Sequence, residues 1–206
     1  MHPRSKVSKC FECDESLWYR LKHKEQSFAN ALLAAGFREA GGGEDVLSFR
    51  RELAVSFTGC NLGVDRTACD QDTSKRARID FVFEGQHGVV LVELDEDQHK
   101  DRCLNSEIAR ANAIVSSLWI GGNNRHVLVV RFNPDAYRVD GKIRRVPLAT
   151  RYNRVIGVIH EALAQTDLPG DTWSIQHMFY DVRAGRECIM DDIDPAIAVL
   201  CRPPIM

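Results

Sequence analysis

The sequence predicts an α/β fold, on three observations. Two apolar runs, Ile79 to Phe83 and Val89 to Leu94, flank a polar Glu84-Gly85-Gln86-His87-Gly88 segment, the pattern of a β-hairpin with a five-residue turn. Apolar residues recur at helical spacing on either side of that hairpin, over 15–35 and 104–119. Val127 to Phe132 is a nearly continuous apolar run, as expected of a strand covered on both faces.

The elements follow in order. Residues 1–14 are polar and read as a flexible segment; 15–190 read as one domain, and 191–206 as a tail. In the first helix, Leu17, Trp18, Leu21, Phe28, Ala31, Leu32 and Ala35 form the apolar face, Asp14 or Ser16 can cap it, and Gly36 can end it. Gly41-Gly42-Gly43 is a break. Residues 47–57 alternate as a strand that puts Phe49, Leu53, Val55 and Phe57 on one face. A long polar loop over 58–76 carries Asp65, Asp70 and Asp72 without EF-hand spacing and reads as a surface excursion. The helix after the hairpin buries Ile108, Ala111, Ile114, Val115 and Leu118. Its Glu107 and Arg110 lie one turn apart, an ordinary intrahelical pair worth a few tenths of a kcal/mol. Gly121-Gly122 terminates it. Arg131 is the one charge in the Val127–Phe132 strand, placed to reach the site or a phosphate, or to pair with a nearby carboxylate. Asp140-Gly141 marks a short hairpin, a helix spans 148–165, and Trp173 to Val182 alternates as an edge strand, with Cys188-Ile189-Met190 as its partner beyond a turn at Ala184-Gly185.

Composition sets the class. With 206 residues, 44% hydrophobic and 27% charged, the chain suits one well-buried domain with additions. The net charge of -2 does not advertise a nucleic-acid binder, but distribution matters more than the sum. Residues 120–166 hold eight Lys/Arg against three acids, and 167–206 three Arg against seven acids. The basic block, with Arg125, Lys142, Arg144 and Arg145, can track a phosphate backbone or be a solvated face. Seven cysteines, an odd number, with neither a leading apolar segment nor a run of transmembrane length, point to a reduced intracellular protein of cytoplasm or nucleus, away from membranes. Cys10-Phe11-Glu12-Cys13 is half of a Zn²⁺ site, which Cys60, Cys69 or His23 could complete; the alternative leaves the pair mobile and without metal.

The chemistry-bearing residues cluster at the hairpin. Asp80 sits inside an apolar strand, and Glu93 and Asp95 share side-chain parity at the end of the next. Strand-end carboxylates are often solvated, but Asp80 is flanked by Ile79, Phe81, Val82 and Phe83, where a charge is expensive unless paired or bound to a cation. Three acids converging on a hairpin, followed by His99, point to a divalent-metal site.

Asp80, Glu93-Leu94-Asp95 and Gln98-His99 resemble the PD-(D/E)XK, or restriction-endonuclease-like, superfamily. The chain looks closest to the branch related to very-short-patch repair endonucleases and EDxHD homing nucleases. It is closer still to uncharacterised algal and giant-virus proteins with a segment of the type "RIDFVF…LEVDExQHK". The likeness spans roughly residues 17–190, with Arg131-Phe132-Asn133-Pro134-Asp135 as a second motif. It implies a core of helix, three-stranded meander, helix and strand with C-terminal additions, and a site where the central strands splay. It implies an Mg²⁺- or Mn²⁺-dependent endonuclease acting on nucleic acid, DNA rather than RNA, as monomer or homodimer. Asp80, Glu93 and Asp95 would be the metal ligands, helped by the Leu94 carbonyl, and Glu25 the glutamate of the first helix, with Glu52 its competitor. Asp95 stands where the superfamily has its lysine, so that His99, Gln98 or Lys100 must replace it, with His99 as general base, or the site is inactive. Glu107 and Arg110 follow the histidine as in that family, and Cys10-Cys13 looks like a remnant of the Cys-rich units those relatives carry. Two other functions stand beside the nuclease: a nuclease fold that binds nucleic acid without cutting it, and a protein-interaction domain.

Overall fold

Alternating and helical apolar patterns condense into two layers of helix around a mixed sheet in the computed structural model, which describes residues 15–39, 48–56, 76–99, 104–166 and 172–181. The helices are α1 (Glu15–Ala34), α2 (Leu104–Ile120) and α3 (Leu148–Ala164). The strands are β1 (Arg38–Glu39), β2 (Ser48–Ser56), β3 (Arg76–Glu84), β4 (Gly88–Leu94), β5 (His126–Phe132), β6 (Tyr137–Val139), β7 (Lys142–Arg144) and β8 (Trp173–Met178). Six strands form one sheet in the order β1-β2-β3-β4-β5-β8. β2, β3 and β4 are an antiparallel meander, while β4, β5 and β8 run parallel. Parallel neighbours need crossovers; α2 makes the first, and α3 lies in the second.

Two of the three helices end at a glycine. Gly36, at φ +94°, lets Phe37 N–H reach Leu32 O at 3.0 Å and Gly36 N–H reach Leu33 O at 3.1 Å, a Schellman ending that tucks Phe37 into the core. Gly122 closes α2 in the same way, through Asn123 N–H to Leu118 O. The first hairpin is tighter than expected: the strands run to Glu84 and restart at Gly88, so three residues turn, closed by Gly85 N–H on Gly88 O at 2.9 Å.

α1 and α3 cover one face, packing Phe28, Leu32, Val155 and Ile159 on Phe81, Phe83, Val92, Val130 and Phe132. Ala111, Ile114 and Val115 of α2 cover the other, against Ile79, Val82, Leu91 and Val129. β4 and β5 are buried throughout, which is why they read as unbroken apolar runs.

One expectation fails in an informative way. Phe49, Leu53 and Val55 do not share a face: Phe49 packs beneath α1 and α3, whereas Leu53 and Val55 join the α2 layer. β3 does the same, with Phe81 and Phe83 in the first layer but Ala77 and Ile79 in the second. Both strands change phase at the facing pair Glu52 and Asp80, the one step at which their register is unpaired. Glu52 takes φ +52°, a left-handed conformation costing about 1–2 kcal/mol in a non-glycine residue.

The second hairpin turns at Asp140-Gly141 as expected, with both residues at positive φ. Among the described residues β8 is the edge strand, beside β5. None of the described helices is long and apolar enough to cross a membrane. The 1–14 and 191–206 segments, the 58–75 loop with Cys60 and Cys69, Cys10-Cys13, Lys100 and Cys188-Ile189-Met190 lie outside the described residues.

Candidate active site

β3 and β4 part company just past the pair Phe81 and Val92. There the ladder is replaced by a side chain: Leu94 N–H donates to Asp80 Oδ2 at 2.8 Å. That is the only bond Asp80 makes among the described residues, leaving its second oxygen without one. Burial pushes the Asp80 carboxyl up to about 8 from 3.8; the Leu94 N–H opposes this, while Glu25 and Glu93 add to it. Glu25 reaches the same place from α1 and is 4% exposed. Its carboxyl is raised, first by burial and also by Glu52. The Arg78 guanidinium stands 3.9 Å from both Glu25 and Glu52, beyond hydrogen-bond range. Beside them opens a polar groove of about 450 Å³, lined by Lys22, Glu25, Gln26, Glu39, Arg51 and Glu52.

Glu93 and Asp95 do share a side, as their parity predicts, but each faces a cation. Arg131 is paired with Glu93 across β4 and β5 and is 2% exposed. Its Nε and Nη2 donate to the two Asp95 oxygens, the latter at 2.8 Å, and its Nη1 lies 3.1 Å from Glu93 Oε2. Burial alone would lower the Arg131 pKa; Asp95 and Glu93 outweigh it and hold the guanidinium well above its ordinary value. Arg110 of α2 puts Nη1 2.7 Å from both Glu93 oxygens and Nη2 3.3 Å from Arg78 O. The Tyr180 hydroxyl donates to Asp95, and burial, then Asp95, raise its pKa well above the usual value.

A short 3-10 turn, Glu96–His99, follows. Gln98 lies in it at φ +61° and is engaged by Asp181: its Nε2 donates to Oδ1 at 3.0 Å, and Asp181 N–H donates back to its Oε1 at 2.6 Å. Gln98 therefore ties this turn to Asp181, just past β8. His99 closes the turn; its side chain lies outside the described residues. The structure thus puts Glu25 and Glu93 within electrostatic reach of Asp80 at the splay, and Arg131 bridges Glu93 to Asp95.

The expected phosphate contacts divide. Arg131 is an internal partner of carboxylates, not a surface cation. Arg125 lies at the opposite end of the sheet, donating to Glu84, to Asn123 and to Gly85 O, and serves to hold the β3–β4 turn. Lys142, Arg144 and Arg145 are exposed on and just after the β6–β7 hairpin, which leaves the same end of β5 as the site. That hairpin is tied to the Gln98 turn through Asp181, which accepts from Arg138 N–H at 2.6 Å. The Arg131–Asp135 motif is a knot: Asn133 donates to Phe179 O at 2.7 Å, Arg151 donates to Asn133 O and Asp135 O, and Lys24 pairs with Asp135 at 2.7 Å.

Tyr180 and Asp181 are the residues that pattern reasoning missed, whereas Arg110 is singled out by the sequence but as half of a helix pair. Arg110 lies at i+3 from Glu107, which suggested an ordinary helix pair, yet it turns to Glu93. Tyr180 and Asp181 carry no local signal, because their partners Asp95 and Gln98 lie more than 80 residues away.

Among the described residues no three His, Cys, Asp or Glu side chains form a metal cage. Mg²⁺ asks for less, since one or two carboxylates suffice when water and phosphate complete the shell. Asp80 and Glu93 are oxygen donors within electrostatic reach of each other, and among the described residues Asp80 keeps an oxygen without a hydrogen bond. That donor set fits a hard dication. Comparison with protein-family models, curated proteins and solved structures finds no match to the chain.

Two predictions follow the electrostatics. Replacing Arg131 by Met leaves Asp95 and Glu93 short of a buried cation and should cost about 3–5 kcal/mol in urea unfolding; a loss below about 1 kcal/mol would show the clamp to be incidental. Asp80 binds its proton more tightly folded than unfolded, so its charge makes stability fall as pH rises from about 4 to about 8. Asp80→Asn keeps an acceptor for Leu94 N–H and removes that charge. In chelator, the mutant's thermal midpoint should exceed wild type above pH 8, by about 2–4 °C per kcal/mol relieved, and converge with it near pH 4. Parallel pH profiles for the two proteins would refute the assignment.

Proposed function

We propose that this chain is an intracellular divalent-metal-dependent endonuclease with a restriction-endonuclease-like core, hydrolysing phosphodiester bonds of nucleic acid, DNA in the first instance. The observation that carries the reading is the meeting of Glu25, Asp80 and Glu93, from α1, β3 and β4, at the point where two central strands separate. The order helix, antiparallel meander, helix, parallel strand supports it.

An Mg²⁺ or Mn²⁺ ion held by Asp80 and Glu93 would supply charge neutralisation at the scissile phosphate and a more acidic water. The chain's own groups do the rest. Glu25 lines the groove beside Asp80 and is placed to hold water there. Arg131, pinned by Asp95, fixes Glu93 from the neighbouring strand. His99, two residues beyond Asp97 on the turn after β4, is the group assigned to take the proton from attacking water. Lys142, Arg144 and Arg145 meet the backbone electrostatically.

A second reading has its own observation. Glu93 and Asp95 are both matched by arginines, as in a fold that keeps its shape, binds nucleic acid through the basic hairpin and no longer cuts.

Cleavage of duplex DNA by the full chain should require Mn²⁺ or Mg²⁺ and should fall below about a hundredth of wild type in Asp80→Ala. Alanine at Lys142, Arg144 and Arg145 together should weaken DNA binding and flatten its log-log salt dependence by about 0.9 for each phosphate no longer neutralised. Binding with an intact salt slope but no turnover in any metal selects the second reading. Indifference to nucleic acid at low salt refutes both.

A further inference from the structure

The carboxylate that the proposed ion needs already has a cation on it. Arg110 Nη1 is equidistant, at 2.7 Å, from both Glu93 oxygens, the place a chelated ion takes on a carboxylate. We propose that Arg110 is an exchangeable internal cation that a divalent ion must displace from Glu93, so that ion binding at this site is coupled to a swing of the α2 guanidinium. The inference rests on the reading that Asp80 and Glu93 hold the ion.

The two arginines on Glu93 are held unequally. Arg131 rises from the middle of the sheet, with 3% of its side chain exposed, and is fixed by two hydrogen bonds to Asp95. Arg110 stands on a helix surface with 20% of its side chain exposed. Among the described residues its one tether besides Glu93 is the 3.3 Å bond to Arg78 O, at the long end of the useful range. Arg110 is therefore the one that can leave, while Arg131 stays and keeps Glu93 oriented. Leaving also has a destination. A guanidinium released beside a metal-bound phosphate is a bidentate phosphate donor, so the ion and an oligonucleotide phosphate would each favour the arrangement that the other needs. The charge logic agrees, because a dication restores to Glu93 what the guanidinium takes away and also answers Asp80, which no arginine among the described residues reaches by hydrogen bond.

The test is Mn²⁺ titration by calorimetry on the full-length wild type and Arg110→Gln, with thermal midpoints measured in chelator and in Mn²⁺. Arg110→Gln should bind Mn²⁺ at least tenfold more tightly. Its midpoint should lie below wild type in chelator, and Mn²⁺ should raise it by more than it raises wild type. Adding Glu93→Gln should remove the gain. Should Arg110→Gln fail to fold, Arg110→Lys keeps the charge while losing the fork, and should bind Mn²⁺ more tightly than wild type. Wild type and variant binding Mn²⁺ equally, or the variant binding more weakly, overturns the exchange while leaving the metal site standing. Absence of heat and of any midpoint shift in every protein overturns the metal reading and the exchange with it.

Discussion

A guanidinium buried in the sheet decides how this molecule is put together where β3 and β4 separate. Arg131 is the one Lys, Arg, Asp or Glu in β5, and its burial is tolerable only because Asp95 and Glu93 meet it. That requirement fixes register. Glu93, Arg131 and His177 lie in line across β4, β5 and β8, and a slip of one residue would drive Arg131 into the aromatic layer of Phe28, Phe132 and Tyr152. It also dictates how the chain closes. Phe179 adopts φ +63° immediately after β8, and in that conformation its ring packs on Phe132 and Tyr137 while the Tyr180 hydroxyl meets Asp95. The strained turn, the buried pair and the edge strand are one arrangement.

The phase change in β2 and β3 is the second constraint, and it explains the geometry of the acids. A regular β3 would send Asp80 and Val82 to the same layer, and the carboxylate would lie among the side chains packed against α2. The irregular step at Glu52 and Asp80 instead frees Asp80 to bond Leu94 N–H and end the ladder. The same step gives the α2 layer Ala77, Ile79 and Val55, which would otherwise face the other way. Local strain at Glu52 is thus offset by apolar burial on both sides of the break.

Periodicity made the three long helices, the β3–β4 hairpin and the strands β2 and β5 legible, because each buries a stripe or a face that repeats. Parity likewise placed Glu93 and Asp95 together. The rest was set by contacts with no local trace. β1 is two residues long and exists only as a partner to β2. The phase change needs two strands to slip together, and neither strand's sequence announces it. Arg131 could be read as a surface cation because a single arginine in an apolar run looks the same whether it snorkels or is paired inside. Arg125 was grouped with Lys142, Arg144 and Arg145 by nearness in sequence, although the length of β5 separates them.

What remains is why the acids are there at all. Asp95 and Glu93 could be retained for structure, since they neutralise Arg131 and Arg110. Asp80 cannot be explained that way. Its structural service is a single accepted hydrogen bond from Leu94 N–H, which an asparagine would give at less cost in charge, and its carboxyl is pushed up to about 8 chiefly by burial, with Glu25 and Glu93 adding to the shift. Glu25 poses the same question, buried on α1 with Arg78, at 3.9 Å, as its nearest cation among the described residues. Groups that lower stability where a neutral residue would serve are retained for what their charge does. Two such groups from different elements, facing one carboxylate that holds a partly exposed arginine, are the observations on which the proposed exchange of cations rests.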